Sequence, residues 1–153
     1  MEVRRIIMKK ILSQLFSIKR AGMNKVITAF GIKIKLPLYS SCYLPDTKML
    51  EAQNIEFPHP IGIVIARSVK LGKNCVIYQN VTIGAKSRDL AFNQENFPTL
   101  GDNVIVYAGA CIIGGIKIGN NVQIGANAVV TKDIPDNCIV AGNPARIIKH
   151  LGE

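Results

Sequence analysis

The chain of 153 residues contains no tryptophan, only two histidines, and four cysteines without Cys-x-x-Cys spacing. Two histidines cannot build a zinc site with three imidazole ligands, so we expect no metal. Scattered cysteines predict reduced thiols and a cytoplasmic protein. The sequence also lacks a run long and apolar enough to cross a bilayer, and its N-terminus lacks the uninterrupted apolar run of a secretory signal.

Acidic residues are scarce at one end of the chain. Residues 1–36 contain nine lysines and arginines but a single acid, Glu2, whereas residues 37–153 contain ten basic and nine acidic residues. A basic amphipathic segment can pack on its own protein or lie on the anionic inner face of a membrane, and both alternatives stay open. No aromatic platform or nucleic-acid-binding motif accompanies the charge, so nucleic acid is not an expected partner.

The spacing of apolar residues in this basic segment predicts a helix. Apolar residues recur at intervals of four from Ile7 to Leu15, and Gly22 is a favourable residue just past a helix C-terminus. Residues 32–36 alternate like a short strand that leads into the next region. We therefore expect residues 1–36 to form a basic N-terminal helical arm.

The rest of the chain has a six-residue period. A period of six fits neither an amphipathic helix nor an alternating strand, and it is typical of a parallel β-helix built from hexapeptides. The sequence therefore predicts an all-β solenoid over residues 37–145, followed by a C-terminal tail over residues 146–153. The repeated aliphatic residues, expected to stack inward, are Ile65, Leu71, Ile77, Ile83, Leu100, Val106, Ile112, Ile118, Ile124 and Val130.

The period is interrupted once, between Ile83 and Leu100. The intervening residues, 84–99, are mostly polar and lack the repeat, which predicts one loop extruded from the solenoid. Long loops on a rigid scaffold often carry function, although a solvated loop without a partner is the alternative.

His59 is the second singular feature. It lies in phase with the aliphatic repeat, one hexapeptide before Ile65, and proline stands on both sides of it. A neutral imidazole at the edge of the apolar column can take a proton from an alcohol near pH 7. The alternative is a core histidine that makes ordinary hydrogen bonds.

Several of these segments resemble the serine acetyltransferase branch of the hexapeptide acyltransferases. The segments are His59 to Ile65, Leu71-Gly72-Lys73-Asn74, the run from Ile77 to Gly84, and the ending Ala141-Gly142-Asn143-Pro144-Ala145-Arg146. The resemblance covers roughly residues 40–150. It is greatest to the short members of the branch that acetylate sugar hydroxyls in capsule and polysaccharide synthesis.

The resemblance implies a left-handed parallel β-helix that forms a homotrimer, with acetyl-CoA in the groove between two subunits. It makes His59 the general base that deprotonates the hydroxyl of the acceptor, without a covalent acyl-enzyme. The positions that match the cofactor site of the family are Ala108, Gly109, Ala126, Arg146 and Lys149.

The chain departs from the serine enzymes around the acceptor. Pro58 replaces an aspartate before the histidine, Phe97 replaces a second histidine in the loop, and Arg67 replaces an acid. The aspartate that orients the histidine falls near Cys42, and Asp46 is the nearest acid that can substitute.

These departures remove charged groups that a free amino acid needs, whereas a sugar needs hydrogen bonds. We therefore expect a sugar hydroxyl as the acceptor, bound by Tyr78, Gln79 and Asn80, with L-serine as the alternative. Two other classes remain as alternatives: a zinc enzyme on the same solenoid, which needs more histidines than the chain has, and a scaffold without activity.

Overall fold

A computed structural model describes most of the chain. It divides into two compact units, residues 1–40 and residues 41–153. Among the described residues, no helix has the length and apolar character needed to span a membrane. The described residues are 16–21, 24–29, 32–37, 44, 47–87 and 93–152.

The first unit contains an antiparallel meander of three strands, β1 (Phe16–Ala21), β2 (Asn24–Ala29) and β3 (Ile32–Pro37). The predicted strand at residues 32–36 is confirmed. The prediction that a helix continues to Gly22 is wrong for residues 16–21, which pair with a strand that contains the β-branched residues Val26, Ile27 and Thr28. The start of the predicted helix lies outside the described residues.

The second unit begins with a short helix, α1 (Thr47–Ala52), and continues as a solenoid of short strands. All strand pairs in the solenoid are parallel except the last. The strands are β4 (Val64–Ile65), β5 (Val76–Ile77), β6 (Thr82–Gly84), β7 (Thr99–Leu100), β8 (Ile105–Val106), β9 (Cys111–Ile113), β10 (Lys117–Ile118), β11 (Gln123–Ile124), β12 (Val129–Val130), β13 (Cys138–Ala141) and β14 (Arg146–His150).

The strands form three faces of a triangular coil. Face A contains β7 and β10, face B contains β5, β8, β11, β13 and β14, and face C contains β4, β6, β9 and β12. Ile105 on face B pairs with Gln123, eighteen residues further along the chain, so one coil equals three hexapeptides. The predicted parallel β-helix of hexapeptides is thereby confirmed.

The repeated aliphatic residues form the core, as predicted. All ten are buried, and Ile65, Ile77 and Ile83 have no exposed surface. A fully buried side chain of this size contributes about 1.5–3 kcal/mol, so each residue of the column stabilises the solenoid.

Asparagine residues form a ladder along the corner between faces A and B. Each side-chain amide donates to the next: Asn54 to Asn74 (3.0 Å), Asn74 to Asn103 (3.3 Å), Asn103 to Asn121 (3.0 Å) and Asn121 to Asn137 (2.9 Å). All five have φ between 55° and 57°, the left-handed conformation that asparagine tolerates better than most residues.

The predicted extruded loop is also confirmed. Val76 pairs with Ile105, twenty-nine residues further along, instead of the usual eighteen. The eleven additional residues lie between β6 and β7, and the returning part contains a 3₁₀ turn at Gln94–Asn96.

The predicted C-terminal tail instead contains β14. This strand folds back and pairs antiparallel with β13 at the end of face B. The His150 Nδ1 atom lies 3.4 Å from the Sγ atom of Cys138, which is buried. A turn at Gly142-Asn143-Pro144 followed by the β-branched pair Ile147-Ile148 is the pattern of a returning strand.

Candidate active site

His59 lies at the corner between faces B and C in the first coil. The chain turns tightly here, because the Ile61 N–H donates to the His59 carbonyl oxygen at 2.8 Å. The side chains of Phe57 and Ile63 are buried, whereas that of His59 is exposed. The imidazole therefore stands outside the apolar column, and the alternative of a core histidine is wrong.

Two tyrosine rings follow the imidazole on successive coils of the solenoid. The centroid of the Tyr78 ring is 6.2 Å from that of His59, and Tyr107 stacks on Tyr78 at 5.4 Å with planes 21° apart. Among the described residues, none hydrogen-bonds the imidazole. The positions predicted to supply an orienting acid, Cys42 and Asp46, lie outside the described residues.

The corner between faces B and C is built from residues with positive φ: Gly62, Asn80, Gly109 and Asn127. The backbone N–H groups of the last three each donate to the preceding coil at 2.9–3.0 Å. A Cβ at Gly62 would meet the side-chain oxygen of Asn80, and one at Gly109 would meet that of Asn127. Glycine is therefore required at both positions.

The residues that follow the inward aliphatic residues on face B form an outer row: Tyr78, Tyr107, Gly125 and Ala141. Their backbone N–H groups link successive coils, with N–O distances of 3.0, 2.9 and 2.8 Å for the first three. A Cβ at Gly125 would lie 3.0 Å from the Ala141 Cβ. The row thus carries two tyrosine rings near His59 and then two small residues, Gly125 and Ala141, and the stretch along these small residues is called the channel.

Two cations continue the channel. Arg146 pairs with Ala141, and Lys149 pairs with Ile139. Opposite residues on paired strands share a face, so both cations lie on the outer side of face B, and both are exposed. Four strand spacings separate Tyr78 from Arg146, a distance of about 19 Å.

The predicted cofactor residues Ala108, Gly109 and Ala126 lie beside this channel. Ala108 and Gly109 follow Tyr107 at the corner between faces B and C, and Ala126 follows Gly125 one coil below. Ala126 is exposed and the other two are half-buried. The fold therefore brings the predicted small residues and the predicted cations to one side of the solenoid.

The predicted acceptor residues lie together near His59. Asn80 is exposed, and Tyr78 and Gln79 are half-buried. The Oε1 atom of Gln79 is buried and has no hydrogen-bond partner among the described residues. An unsatisfied buried acceptor costs about 1–3 kcal/mol, so a bound molecule that donates to it would gain that energy.

The positions that depart from the serine enzymes contribute no acidic or imidazole group here. Phe97, at the position where the resemblance implies a histidine, is 6 % exposed and packs inward. Pro58 and Arg67 are exposed. In the described part of the chain, no three residues among histidine, cysteine, aspartate and glutamate cluster as metal ligands would.

Sequence reasoning missed Tyr107. The signal was available, because Tyr107 follows Val106 as Tyr78 follows Ile77, and both aliphatic residues belong to the repeat. Residues at the same phase of successive coils are neighbours in a solenoid, so the two rings had to meet.

Comparison with known proteins supports the class of fold. Residues 97–132 match the family model for the bacterial transferase hexapeptide (six repeats). A serine acetyltransferase of Synechococcus elongatus is 43% identical over 100 residues, which are 65% of this chain and 40% of that protein. A serine acetyltransferase of Staphylococcus aureus is 42% identical over 94 residues, 61% of this chain and 43% of that protein.

Solved structures show the same likeness. The serine acetyltransferase of Neisseria gonorrhoeae has a TM-score of 0.60 and 30% identity, and the match covers 74% of this chain and 40% of that one. The serine acetyltransferase of Brucella abortus in complex with coenzyme A has a TM-score of 0.59 and 30% identity, with 73% and 41% covered.

The chain is thus a hexapeptide-repeat protein built as a left-handed parallel β-helix, and it is similar over residues 97–132 to the bacterial transferase hexapeptide proteins. Within that class, its repeat domain resembles the serine acetyltransferases. The chain spans about two fifths of the length of the relatives it matches.

Proposed function

We propose that the protein is an acetyl-CoA-dependent O-acetyltransferase with His59 as general base. The observation that carries the proposal is the outer row of face B, which begins beside the exposed His59 imidazole, passes the two tyrosine rings and ends at Arg146 and Lys149. The similarity to a serine acetyltransferase solved with coenzyme A supports the same donor.

The reaction needs no covalent intermediate. The unprotonated ring nitrogen of His59 takes the proton of the acceptor hydroxyl while the oxygen attacks the thioester carbonyl. The C–S bond then breaks, and the imidazolium returns the proton to the leaving thiolate. The products are the acetyl ester and free CoA.

The chain offers fitting groups for the donor along the channel. Small residues at Ala108, Gly109 and Ala126 leave room for the pantetheine arm and access to backbone amides. Arg146 and Lys149 suit the CoA phosphates, because guanidinium and ammonium groups form charge-assisted hydrogen bonds with phosphate oxygens.

L-serine is the acceptor that the comparisons support best. The similar curated proteins and structures are named as serine acetyltransferases, so they favour our alternative acceptor over the sugar that the sequence led us to expect. Tyr78, Gln79 and Asn80 are the proposed acceptor contacts in either case.

A sugar hydroxyl is the second candidate, as in surface-polysaccharide synthesis. It is favoured by Phe97, which is buried and apolar where the serine enzymes have a histidine, and by the aromatic pair next to His59. A zwitterion needs charged partners, whereas flat apolar rings and amides suit a sugar.

The solenoid has apolar outer surfaces that suit a homotrimer. Ile61 is 63% exposed and Val64 is 43% exposed, and both flank the corner that carries His59. Burying them against another copy would place the channel between two subunits. Light scattering gives the mass, and Val64→Glu is expected to yield monomers.

The basic segment, residues 1–36, is proposed to contact anionic membrane surfaces on the cytoplasmic side. Its net charge of +8 supports this, because each basic residue near such a surface contributes about 1 kcal/mol. Co-sedimentation with phosphatidylserine vesicles, compared with neutral vesicles, tests the contact.

Thiol release from acetyl-CoA is the deciding experiment. Wild type is compared with His59→Ala, with L-serine and with a panel of free and lipid-linked sugars as acceptors. Turnover with L-serine that is lost in His59→Ala establishes the serine enzyme, and turnover only with a sugar establishes the second candidate. Undiminished turnover in His59→Ala would overturn the assignment of the base.

A further inference from the structure

We propose that Tyr78, held by Tyr107, restricts the donor to a short acyl group. The inference rests on the proposed function, because it concerns the donor of the same reaction. It assigns Tyr78 a specificity-determining role and makes Tyr107 a positioning residue.

The distance between His59 and Tyr78 limits the space for the acyl group. An acceptor oxygen within hydrogen-bond reach of the imidazole is about 3 Å away, and the carbonyl carbon lies about 3–3.5 Å beyond that oxygen. The Tyr78 ring centroid is 6.2 Å from the imidazole centroid. The ring therefore borders the volume that the acyl carbons must occupy.

Tyr107 prevents the Tyr78 ring from moving down the outer row. The two rings are stacked at 5.4 Å, and the backbone N–H groups of both residues are fixed by hydrogen bonds to the next coil. The next position in the row, Gly125, has no side chain. Without the Tyr107 ring, the row would be open from Tyr78 to Ala141.

The fit of the donor beside the Tyr78 ring depends on the length of its acyl chain. The single methyl group of an acetyl thioester fits beside the Tyr78 ring, whereas the four additional methylenes of a hexanoyl thioester need the space that the two rings fill. Discrimination by such steric exclusion in an apolar site is about tenfold or more.

Calorimetric binding of acetyl-CoA and hexanoyl-CoA tests the proposal without any acceptor. Wild type is expected to bind hexanoyl-CoA at least about tenfold more weakly than acetyl-CoA. In Tyr78→Leu and Tyr107→Ala this ratio should approach one. Tyr107→Phe retains the stacked ring and should keep the wild-type ratio.

The outcomes separate the two proposals. The length restriction is overturned if wild type binds acetyl-CoA and hexanoyl-CoA equally. It is also overturned if the ratio of the two affinities stays at the wild-type value in Tyr78→Leu and Tyr107→Ala. The transferase proposal is unaffected by either result. Failure of wild type to bind acetyl-CoA, hexanoyl-CoA or CoA overturns both. Tyr107 is 37% exposed, so its substitution is compatible with folding, and Tyr107→Leu provides a second small replacement.

Discussion

The side-chain oxygen of Asn127 occupies the place where a Cβ on Gly109 would stand. Both residues turn the corner between faces B and C with positive φ, +72° at Gly109 and +56° at Asn127. An asparagine in one coil therefore requires a glycine in the coil above it. This relationship lies at the centre of the proposed donor site.

Gly109→Ala is expected to destabilise the protein by about 2–3 kcal/mol, because it adds a clash to a strained backbone. Gly142→Ala is the matched control. It has a similar positive φ of +97°, but its Cβ would approach only the Pro144 carbonyl oxygen, at 3.5 Å. Chemical denaturation measures both, and equal losses would show that the contact with Asn127 contributes nothing.

The asparagine ladder is expected to contribute through hydrogen bonds and through backbone conformation. Asn103 accepts from Asn74 and donates to Asn121. Asn103→Gly removes both bonds and should cost about 1–2 kcal/mol, whereas Asn103→Ala should cost about 1 kcal/mol more because alanine is strained at φ 56°. Equal melting temperatures for the two variants would contradict the second part.

The cysteines are expected to differ in reactivity. Cys75 has no exposed surface, and burial raises the pKa of its thiol, so little thiolate forms in the native state. Cys111 on the outer side of face C is half-buried. Iodoacetamide followed by mass spectrometry should find Cys111 modified well before Cys75, and the reverse order would contradict the assigned burial.

The same pKa shift predicts a loss of stability at alkaline pH. The unfolded chain ionises Cys75 near its ordinary pKa of about 9, while the folded chain keeps the proton. The stabilisation is therefore complete well below the unfolded pKa and declines as the pH rises through it. Between about pH 8 and pH 10, wild type should lose more unfolding free energy than Cys75→Ala, and parallel curves would contradict this.

Arg146 and Lys149 are expected to contribute to the binding of acetyl-CoA but not to the binding of the acceptor. Arg146→Ala and Lys149→Ala should each raise the KM for acetyl-CoA by about tenfold with little change in the KM for the acceptor, because each removes a charge-assisted hydrogen bond. Lys117→Ala, an exposed substitution on face A, is the control. Wild-type affinity should fall with added salt, and insensitivity to salt would argue against phosphate contacts.

The solenoid was predictable because each hexapeptide places an aliphatic residue at the same position of the repeat. Ile65 through Val130 repeat at six, each one is buried, and the one break in the period is the one extruded loop. A column of stacked equivalents tolerates only aliphatic residues inside, so the pattern survives in the sequence without knowledge of long-range contacts.

The N-terminal strands were less predictable, because two patterns overlap there. The interval of four that ends at Leu15 indicates a helix, but Ile18 and Ile27 are cross-strand partners that alternation alone cannot pair. Register depends on turns and partners rather than on local preference. The acceptor site was incomplete for a different reason: the repeat phase places Tyr107 beside Tyr78, but the extruded loop separates the two residues by twenty-nine positions instead of eighteen, and the contact was overlooked.

The extruded loop interrupts the chain but not the hydrogen bonding of the coils. Val76 donates to the Val104 carbonyl oxygen at 2.9 Å and Thr82 donates to that of Ala110 at 3.0 Å, as they would if the eleven residues were absent. The loop can therefore vary in sequence without changing the hydrogen bonds between the coils. Sequence change within it can alter what the protein recognises while the stacked core keeps its stability.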